Sequence, residues 1–389
     1  MTRSKAGLAA VLLAAAAAIG AATPRDAVAG AAQADARLDR SIRTLLSQPQ
    51  GPPGVAVLIQ RGDEVSHHSF GRASLAAPGR IRPTQHMRIA SVTKAFTGAA
   101  LLRLVENGTL GLGTTVGELR PELPPAWHPI TLRQLLYHTS GLPNYTATPA
   151  FQAYFPAHLA DFIPPQQIVD FAATEPLEFP PGSRYDYSNT DNIVMALMAE
   201  AVTGREFSAL LKALVLRPLG LRDTRFSAAT PLPKPFVRGY VFDGPGDPLL
   251  DVSELISPSG TWASGMIVST QRDLNTFIRA WGGGSLLRSA KVRKAQTRFL
   301  PPFTAGEPPG PGQNRGGLTL FRYKTPCGVV YGHSGNFPGY AQWIASSPDG
   351  SRSAVVSVNE QLNIDTGAPG VFPFLRRVYR RAACAALAG

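Results

Sequence analysis

The chain has 389 residues, of which 44% are hydrophobic and 16% are charged. This composition excludes an intrinsically disordered protein, and the length allows one or two domains with a large core. The formal net charge of +12 favours contact with polyanions such as a cell envelope, but no nucleic-acid-binding motif is present and no nucleic-acid partner is expected.

The first 29 residues have the features of a secretory signal peptide. Arg3 and Lys5 precede the apolar run LAAVLLAAAAAIGAA, and residues 27–29 (AVA) or 32–34 (AQA) form a small-residue cleavage site. The run is too short and too alanine-rich to favour a transmembrane anchor, and no cysteine near the cleavage sites could carry a lipid. We therefore expect a secreted or periplasmic monomer with no membrane span in its mature chain.

Along the chain, strand patterns lie near both ends and helix patterns lie mainly between them. Helices are predicted over residues 35–48, 91–107, 132–138, 191–202, 207–214, 273–281 and 372–387. Strands are predicted over residues 54–60, 65–70, 318–323, 328–333, 340–346 and 354–359. The order predicts an α/β (α+β) fold in which residues 35–90 and 257–389 form a sheet domain and residues 91–256 form a mainly helical one.

The segment Ser91-Val92-Thr93-Lys94 is the only Ser-x-x-Lys in the sequence and begins the helix-like run SVTKAFTGAALLRLVENG. Residues three apart on a helix share a face, so Lys94 is expected beside Ser91. A serine hydroxyl needs a nearby base to become a good nucleophile at neutral pH. The pattern therefore predicts a nucleophilic serine with its own activating amine.

Two further motifs follow in order, Tyr187-Ser188-Asn189 and His333-Ser334-Gly335. The ordered set resembles the Tyr-x-Asn branch of the serine β-lactamase/penicillin-binding-protein superfamily. That branch holds class C β-lactamases, Streptomyces-type D-alanyl-D-alanine carboxypeptidases and esterases. Segments such as ITLRQLLYHTSGLPNY, VLRPLGLRDTRF and VYGHSGNFPGY extend the resemblance, which is greatest to the secreted Streptomyces D-alanyl-D-alanine carboxypeptidase/transpeptidase group.

The resemblance implies a β-lactamase/transpeptidase-like fold, with an antiparallel sheet flanked by terminal helices and an active site where an all-helical insertion meets it. It also implies an acyl-serine enzyme, foremost a D-alanyl-D-alanine carboxypeptidase acting on peptidoglycan stem peptides. An esterase or a weak class C-type β-lactamase is the alternative, acting on ester or β-lactam small molecules. A catalytically inactive cell-wall-binding protein is the alternative outside enzymes.

The same resemblance implies roles for the motif residues around Ser91. Either Lys94 or Tyr187 is the general base, and the sequence does not decide between them. Asn189 is expected to hold Lys94 or the substrate amide by hydrogen bonds. His333 is expected to donate a hydrogen bond to the Tyr187 oxygen, with a charge that varies near neutral pH. Lysine occupies this position in β-lactamases, so histidine argues against a strong β-lactamase.

Substrate binding is expected around the third motif. Ser334 is placed to bind a substrate carboxylate. The backbone N–H of Ser91 lies at a helix start, which favours negative charge and suits one half of an oxyanion hole. The resemblance implies that the backbone N–H of Asn336, which follows Gly335, is the other half.

One departure from the carboxypeptidase pattern concerns the arginine that binds the terminal carboxylate of the peptide. Counting back from Cys327 puts Phe321 at that position, with Arg322 next to it. A one-residue offset in a strand points to the other face. Either a bulge turns Arg322 toward the substrate or the carboxylate pocket is altered, and the second outcome favours an esterase.

The chain has two cysteines, Cys327 and Cys384. In an oxidising compartment such a pair is more often a disulfide than two free thiols, and the resembled group carries cysteines at similar places. Two buried thiols are the alternative. The seven histidines are scattered or adjacent in a strand-like segment, so neither a metal site nor a cofactor is expected.

Overall fold

The computed structural model describes residues 24–242, 247–301, 310–311, 313–362 and 370–389. The predicted signal peptide therefore lies mostly outside the described residues. In the described ranges, no helix is both long enough and apolar enough to cross a bilayer. No three His, Cys, Asp or Glu side chains of these ranges gather as a metal site would require.

The helices and strands are defined as follows. The α-helices are α1 (Pro24–Leu46), α2 (Thr93–Glu106), α3 (Val116–Leu119), α4 (Leu132–Tyr137), α5 (Pro149–Tyr154), α6 (Pro165–Ala173), α7 (Asn189–Thr203), α8 (Phe207–Leu211), α9 (Trp262–Gly265), α10 (Gln271–Gly282), α11 (Ala290–Gln296) and α12 (Phe372–Leu387). The strands are β1 (Gly54–Arg61), β2 (Glu64–Gly71), β3 (Met87–Arg88), β4 (Arg225–Phe226), β5 (Tyr240–Val241), β6 (Leu250–Asp251), β7 (Ile267–Ser269), β8 (Gln313–Gly316), β9 (Phe321–Thr325), β10 (Gly328–Phe337), β11 (Tyr340–Ser346) and β12 (Arg352–Val358).

The main sheet joins the two ends of the chain. Its seven strands run in the order β2-β1-β12-β11-β10-β9-β8, and every pairing is antiparallel. The strand β1 pairs along its length with β12, from Val55 opposite Val358 to Arg61 opposite Arg352. Sequence-distant segments are therefore neighbours, as the strands predicted at both ends of the chain indicated.

Both faces of this sheet are covered, which explains the continuous apolar run in β1. Val57 and Ile59 face a core shared with α1 and α12, whereas Leu58 faces a second core shared with helices such as α2 and α10. Alternate residues of a strand point to opposite faces, so a strand buried on both sides has no polar alternation. The predicted fold class, an antiparallel sheet with terminal helices and many other helices, is confirmed. The division into two domains at residues 91 and 256 stays a proposal.

Several element boundaries differ from those predicted. The first helix begins at Pro24 instead of residue 35. The helix predicted from Ser91 begins as a 3-10 turn, Ala90–Val92, and α2 starts at Thr93. The strand predicted over residues 318–323 starts only at Phe321, because Thr319 has a φ of 54° and turns the chain just before it.

The predicted disulfide between Cys327 and Cys384 is present, with Cα atoms 5.2 Å apart. It joins the turn between β9 and β10 to helix α12. Closing a loop of 57 residues stabilises the folded state by about 4 kcal/mol in the chain-entropy model. The bond therefore holds the C-terminal helix against the hairpin that carries the third motif.

Candidate active site

Ser91 and Lys94 lie together at the start of α2, as the spacing predicted. The Lys94 Nζ is 3.0 Å from the Ser91 Oγ and donates to the Ser264 carbonyl at 2.8 Å. Lys94 is completely buried. Ala90, directly before the serine, has a φ of 51°, a strained conformation for a residue with a Cβ and one that is common at functional sites.

The protonation of the two candidate bases follows from their surroundings. Burial lowers the pKa of Lys94 well below its usual range, although attraction from Asp191 partly opposes this shift. Burial raises the pKa of Tyr187, whose ring centre is 5.0 Å from the Lys94 Nζ, even though a hydrogen bond with Ser91 acts in the opposite direction. A neutral amine beside a protonated phenol favours Lys94 as the group that accepts the serine proton.

A buried histidine–carboxylate pair supports these groups from behind, and sequence reasoning missed it. His138 Nδ1 is 2.8 Å from Asp191 Oδ2, and Ser140 Oγ donates to the other carboxylate oxygen. The His138 ring packs against Tyr187 with 4.7 Å between ring centres. Burial lowers the pKa of His138 to about 3 and raises that of Asp191.

The third motif lies on β10, next to Ser91. A Cβ atom on Gly335 would lie 2.8 Å from the Ser91 nitrogen and 2.5 Å from the Ile89 carbonyl oxygen. Only glycine therefore permits this close approach. The strand β10 pairs with β9 over Gly328–Gly332 only, so no described strand covers its free edge at Asn336. Ser91 and Asn336 both line one cavity, and the oxyanion hole expected from their backbone N–H groups stays a prediction.

His333 lines this cavity but does not have the expected protonation behaviour. Burial, the largest cause, lowers its pKa to about 3, so it stays neutral near pH 7 and the prediction of a variable charge is wrong. Its Nδ1 is 2.6 Å from the Ser334 carbonyl oxygen. Because a carbonyl only accepts, Nδ1 carries the proton and Nε2 is an acceptor. His333 can therefore accept a hydrogen bond from a tyrosine hydroxyl but cannot donate one through Nε2.

Asn189 also lines the cavity, with partners that the sequence did not indicate. Its Nδ2 donates to Asn144 Oδ1 at 3.1 Å and to Thr146 Oγ1 at 3.3 Å. Asn189 therefore makes these hydrogen bonds to Asn144 and Thr146 instead of the expected one to Lys94. Asn144 and Asn189 retain amide groups that can pair with a substrate amide or ester carbonyl.

These residues surround one cavity of about 810 Å³, a usual size for a small-molecule site. Ser91, Tyr187, His333 and Ser334 line its polar side. Much of the remaining lining is aromatic, contributed by Tyr145, Phe151, Phe155, Phe321, Phe337 and Phe372. Among the described residues, no aspartate or glutamate lines the cavity. The arrangement places a serine that can be acylated beside a partly apolar cavity whose described lining carries no carboxylate.

Comparison with known proteins identifies the family. The family model described as Beta-lactamase matches residues 38–369, which is most of the chain. This protein belongs to the Beta-lactamase family. It is therefore a serine β-lactamase-fold hydrolase, and the superfamily predicted from the motifs is confirmed. The narrower likeness to the secreted carboxypeptidase/transpeptidase group stays a prediction.

Individual members of the Beta-lactamase family similar to this chain carry different names. Penicillin-binding protein 4* of Bacillus subtilis (strain 168) is 27% identical over 319 residues, covering 79% of this chain and 68% of that protein. Esterase EstB of Burkholderia gladioli is 31% identical over 297 residues, covering 71% and 73%. The solved structure of a D-stereospecific amidohydrolase from Streptomyces sp. has a TM-score of 0.76 and 29% identity, covering 87% of this chain and 97% of that one. Family membership therefore leaves the substrate open.

The structure decides between the two outcomes that the sequence left open for Arg322, and Arg322 is not turned toward the substrate. The register between β9 and β10 is unbroken, with Phe321 opposite Gly332 and Arg322 opposite Tyr331. No bulge re-aims Arg322, and Phe321 lines the cavity with its ring centre 4.7 Å from that of His333. Neighbouring residues of a strand face opposite sides. Arg322 therefore points away from the side of the sheet that Phe321 presents to the cavity.

A different arginine reaches the cavity. Arg376, in the second turn of α12, lines it, and its Nε donates to the Gly310 carbonyl at 2.9 Å. No local pattern in the sequence marks this position, because Arg376 lies among several arginines of an amphipathic helix. His138 and Asn144, in contrast, lie within the segment ITLRQLLYHTSGLPNY, which already carried the family resemblance.

Proposed function

We propose that this protein hydrolyses carboxylic esters through an acyl-serine intermediate on Ser91. The observation that carries the proposal is the Ser91–Lys94 pair at 3.0 Å, at the end of a cavity in which Phe321 occupies the place of a carboxylate-binding arginine. Without a cation at that place, a neutral ester fits the site better than the anionic end of a peptide.

The proposed reaction has two steps. The Ser91 Oγ attacks the ester carbonyl carbon while its proton passes to the neutral Lys94 Nζ. The backbone N–H groups of Ser91 and Asn336 stabilise the oxyanion, and the leaving alkoxide receives the proton from Lys94, directly or through Tyr187. A water molecule then attacks the acyl-enzyme, loses its proton to the same base, and releases the acid and free Ser91.

A D-alanyl-D-alanine carboxypeptidase is the second candidate, and one observation favours it. Arg376 supplies a positive charge at the rim of the cavity, where it could bind a substrate carboxylate by a charge-assisted hydrogen bond. In this version of the reaction, Ser91 is acylated by the peptide carbonyl and D-alanine is the leaving group. A weak β-lactamase would use the same acylation step.

The test compares acylation and turnover of matched substrates. Intact-protein mass spectrometry after mixing with a nitrophenyl ester, an acyl-D-Ala-D-Ala peptide or a penicillin should show an acyl adduct that Ser91→Ala lacks. Higher kcat/KM for the ester than for the peptide supports the esterase. The reverse order supports the carboxypeptidase, rapid penicillin turnover supports a β-lactamase, and no adduct from any substrate contradicts an acyl-serine enzyme.

We also propose that the protein is exported. The charged and apolar pattern of the first 29 residues and the Cys327–Cys384 disulfide support export, because disulfides persist in oxidising compartments. N-terminal sequencing of the protein recovered outside the cytoplasm should begin after residue 29 or residue 34. Recovery of the intact N-terminus in the cytoplasm would contradict export.

A further inference from the structure

Three exposed apolar side chains lie on segments that neighbour the lining of the catalytic cavity. Leu159 is 37% exposed, Phe162 is 64% exposed and Leu255 is 48% exposed. A single exposed apolar side chain is ordinary, whereas a group of them beside a cavity is typical of a binding surface. We call these three residues the outer wall.

Hydrogen bonds join the outer wall to the cavity lining. The Ser257 N–H donates to the Leu159 carbonyl at 2.7 Å, and the Ile163 N–H donates to Ser259 Oγ at 3.0 Å. Ser257 itself lines the cavity, and Leu255 precedes it by two residues. Residues 158–163 and 255–260 are therefore joined by hydrogen bonds, and they include both the cavity-lining Ser257 and Gly260 and the exposed residues of the outer wall.

Aromatic rings line the cavity just before the wall segment in the chain. Phe155 follows directly after α5 and leads into the segment that carries Leu159 and Phe162. Its ring stacks on that of Phe151 with 5.1 Å between centres, and both rings line the cavity. These two rings therefore give the cavity an apolar lining at the part of the chain that leads into the wall segment.

The wall segment is held in place by its own contacts. The His158 ring stacks on Tyr154 with 3.9 Å between centres, and its Nδ1 is 2.7 Å from Asp161 Oδ2. Exposed apolar side chains on a held segment lose little further conformational entropy when a ligand binds, which favours affinity. This arrangement suits a surface that is complete before the substrate arrives.

We propose that the outer wall binds an extended hydrocarbon group of the substrate, so that the enzyme selects esters with a long alkyl chain. The inference rests on the proposed esterase function and names its substrate class. The chain can belong to the acyl part or to the leaving alcohol, since both begin at the carbonyl beside Ser91. Each methylene that leaves water for apolar surface should raise kcat/KM by up to about fourfold.

The test uses two ester series and matched variants. One series lengthens the acyl chain of a nitrophenyl ester from acetyl to dodecanoyl, and the other lengthens the alcohol of an acetate ester, both below their aggregation concentrations. The test variant is Phe162→Ser with Leu255→Ser. The control is Val65→Ser with Leu75→Ser, because these side chains are 53% and 43% exposed on other segments.

The measured quantity is the ratio of kcat/KM for the longest and shortest esters in each series. We expect the wall variant to lower this ratio at least tenfold in one series and the control variant to leave it unchanged. The series that responds identifies whether the chain is acyl or alcohol. An unchanged ratio in both series would overturn the proposal.

A binding measurement separates this inference from the esterase assignment. In the Ser91→Ala background, which cannot be acylated, a dodecanoyl ester should bind more tightly than an acetyl ester, and the wall substitutions should remove that difference. If this difference appears while wild-type protein hydrolyses no ester, the wall assignment stands and the esterase assignment falls. If no difference appears, the wall assignment falls whatever the protein hydrolyses.

Discussion

The buried polar groups behind Ser91, which we call the floor, and the outer wall beside the catalytic cavity are built in opposite ways. At the floor, Lys94, His138 and Asp191 are ionisable groups that are almost completely buried and hydrogen-bonded to one another or to nearby backbone. At the wall, Leu159 and Phe162 are apolar side chains that stand in solvent. Each region reverses the usual relation between polarity and burial.

From this difference we expect the floor to carry out the reaction and the outer wall to select among substrates. Burial shifts the pKa values of the floor residues and holds them at reacting distances, which is how active sites prepare a base before the substrate binds. The wall contributes no reacting group and can change the apolar area that a substrate buries. Changes at the floor should therefore alter kcat for every substrate, and changes at the wall or rim should alter only some of them.

The largest expected effect is that of Ser91→Ala. Removing the nucleophile should lower kcat by about 10⁴-fold or more for every substrate, while the free energy of unfolding stays nearly unchanged, since one partly exposed hydroxyl contributes little packing. Steady-state kinetics and urea denaturation measure the two quantities. Near-normal turnover in this variant would show that Ser91 is not the nucleophile.

The second largest effect is expected for Lys94→Met, which should lower kcat but raise the free energy of unfolding near neutral pH. Loss of the base should lower kcat by about 10²–10⁴-fold. The buried lysine has a lowered pKa in the folded protein, so the unfolded chain binds more protons and wild-type stability rises with pH from that lowered pKa to about 10.4. The variant should lose this pH dependence and unfold at higher urea concentration near neutral pH. A variant that keeps the wild-type pH dependence of stability would show that the pKa of Lys94 is not lowered in the folded protein.

Gly335→Ala should damage the oxyanion hole without removing any polar group. The added Cβ would lie 2.5 Å from the Ile89 carbonyl oxygen and 2.8 Å from the Ser91 nitrogen, so β10 or the serine turn must move. A displacement of about 1 Å in an active site can lower kcat about 10²-fold. Gly113→Ala is the control, because its Cβ would meet nothing within 4 Å. Equal kcat values for both variants would contradict the close approach.

Arg376→Ala tests whether the rim distinguishes substrates by charge. Loss of a charge-assisted contact of about 1.5–3 kcal/mol should lower kcat/KM for an acyl-D-Ala-D-Ala peptide about 10–150-fold, with little change for a neutral ester. Arg322→Ala, the control on the other side of β9, should affect both substrates equally. A larger effect of Arg322→Ala on the peptide than on the ester would show that Arg322 binds the substrate carboxylate.

Asp191→Asn should have the smallest effect, on pH dependence. Attraction from Asp191 raises the pKa of Lys94, so removing the charge should lower that pKa further. Because the reaction needs neutral Lys94, activity is lost as pH falls through its pKa, and this acid limb of kcat/KM should move to lower pH. A shift to higher pH would show that the carboxylate does not act on Lys94 through its charge.

Much of the fold and part of the site could be predicted because their signals are local. The continuous apolar run of β1 indicates a strand buried on both faces, and the helix at Phe372–Leu387 follows the predicted boundaries. The proximity of Ser91 and Lys94 follows from helical spacing alone. The pairing of Cys327 with Cys384 required only two cysteines and an expected oxidising compartment.

The sequence by itself thus determined the family and the proximity of Lys94 to Ser91, since both are specified by residues close together in the chain. Tertiary structure decided which arginine reaches the cavity, because β9 has an unbroken register and presents Phe321 instead of Arg322. It also decided the protonation of His333 and the pairing of His138 with Asp191. Those properties depend on burial and on contacts between segments far apart in sequence, which no local pattern encodes.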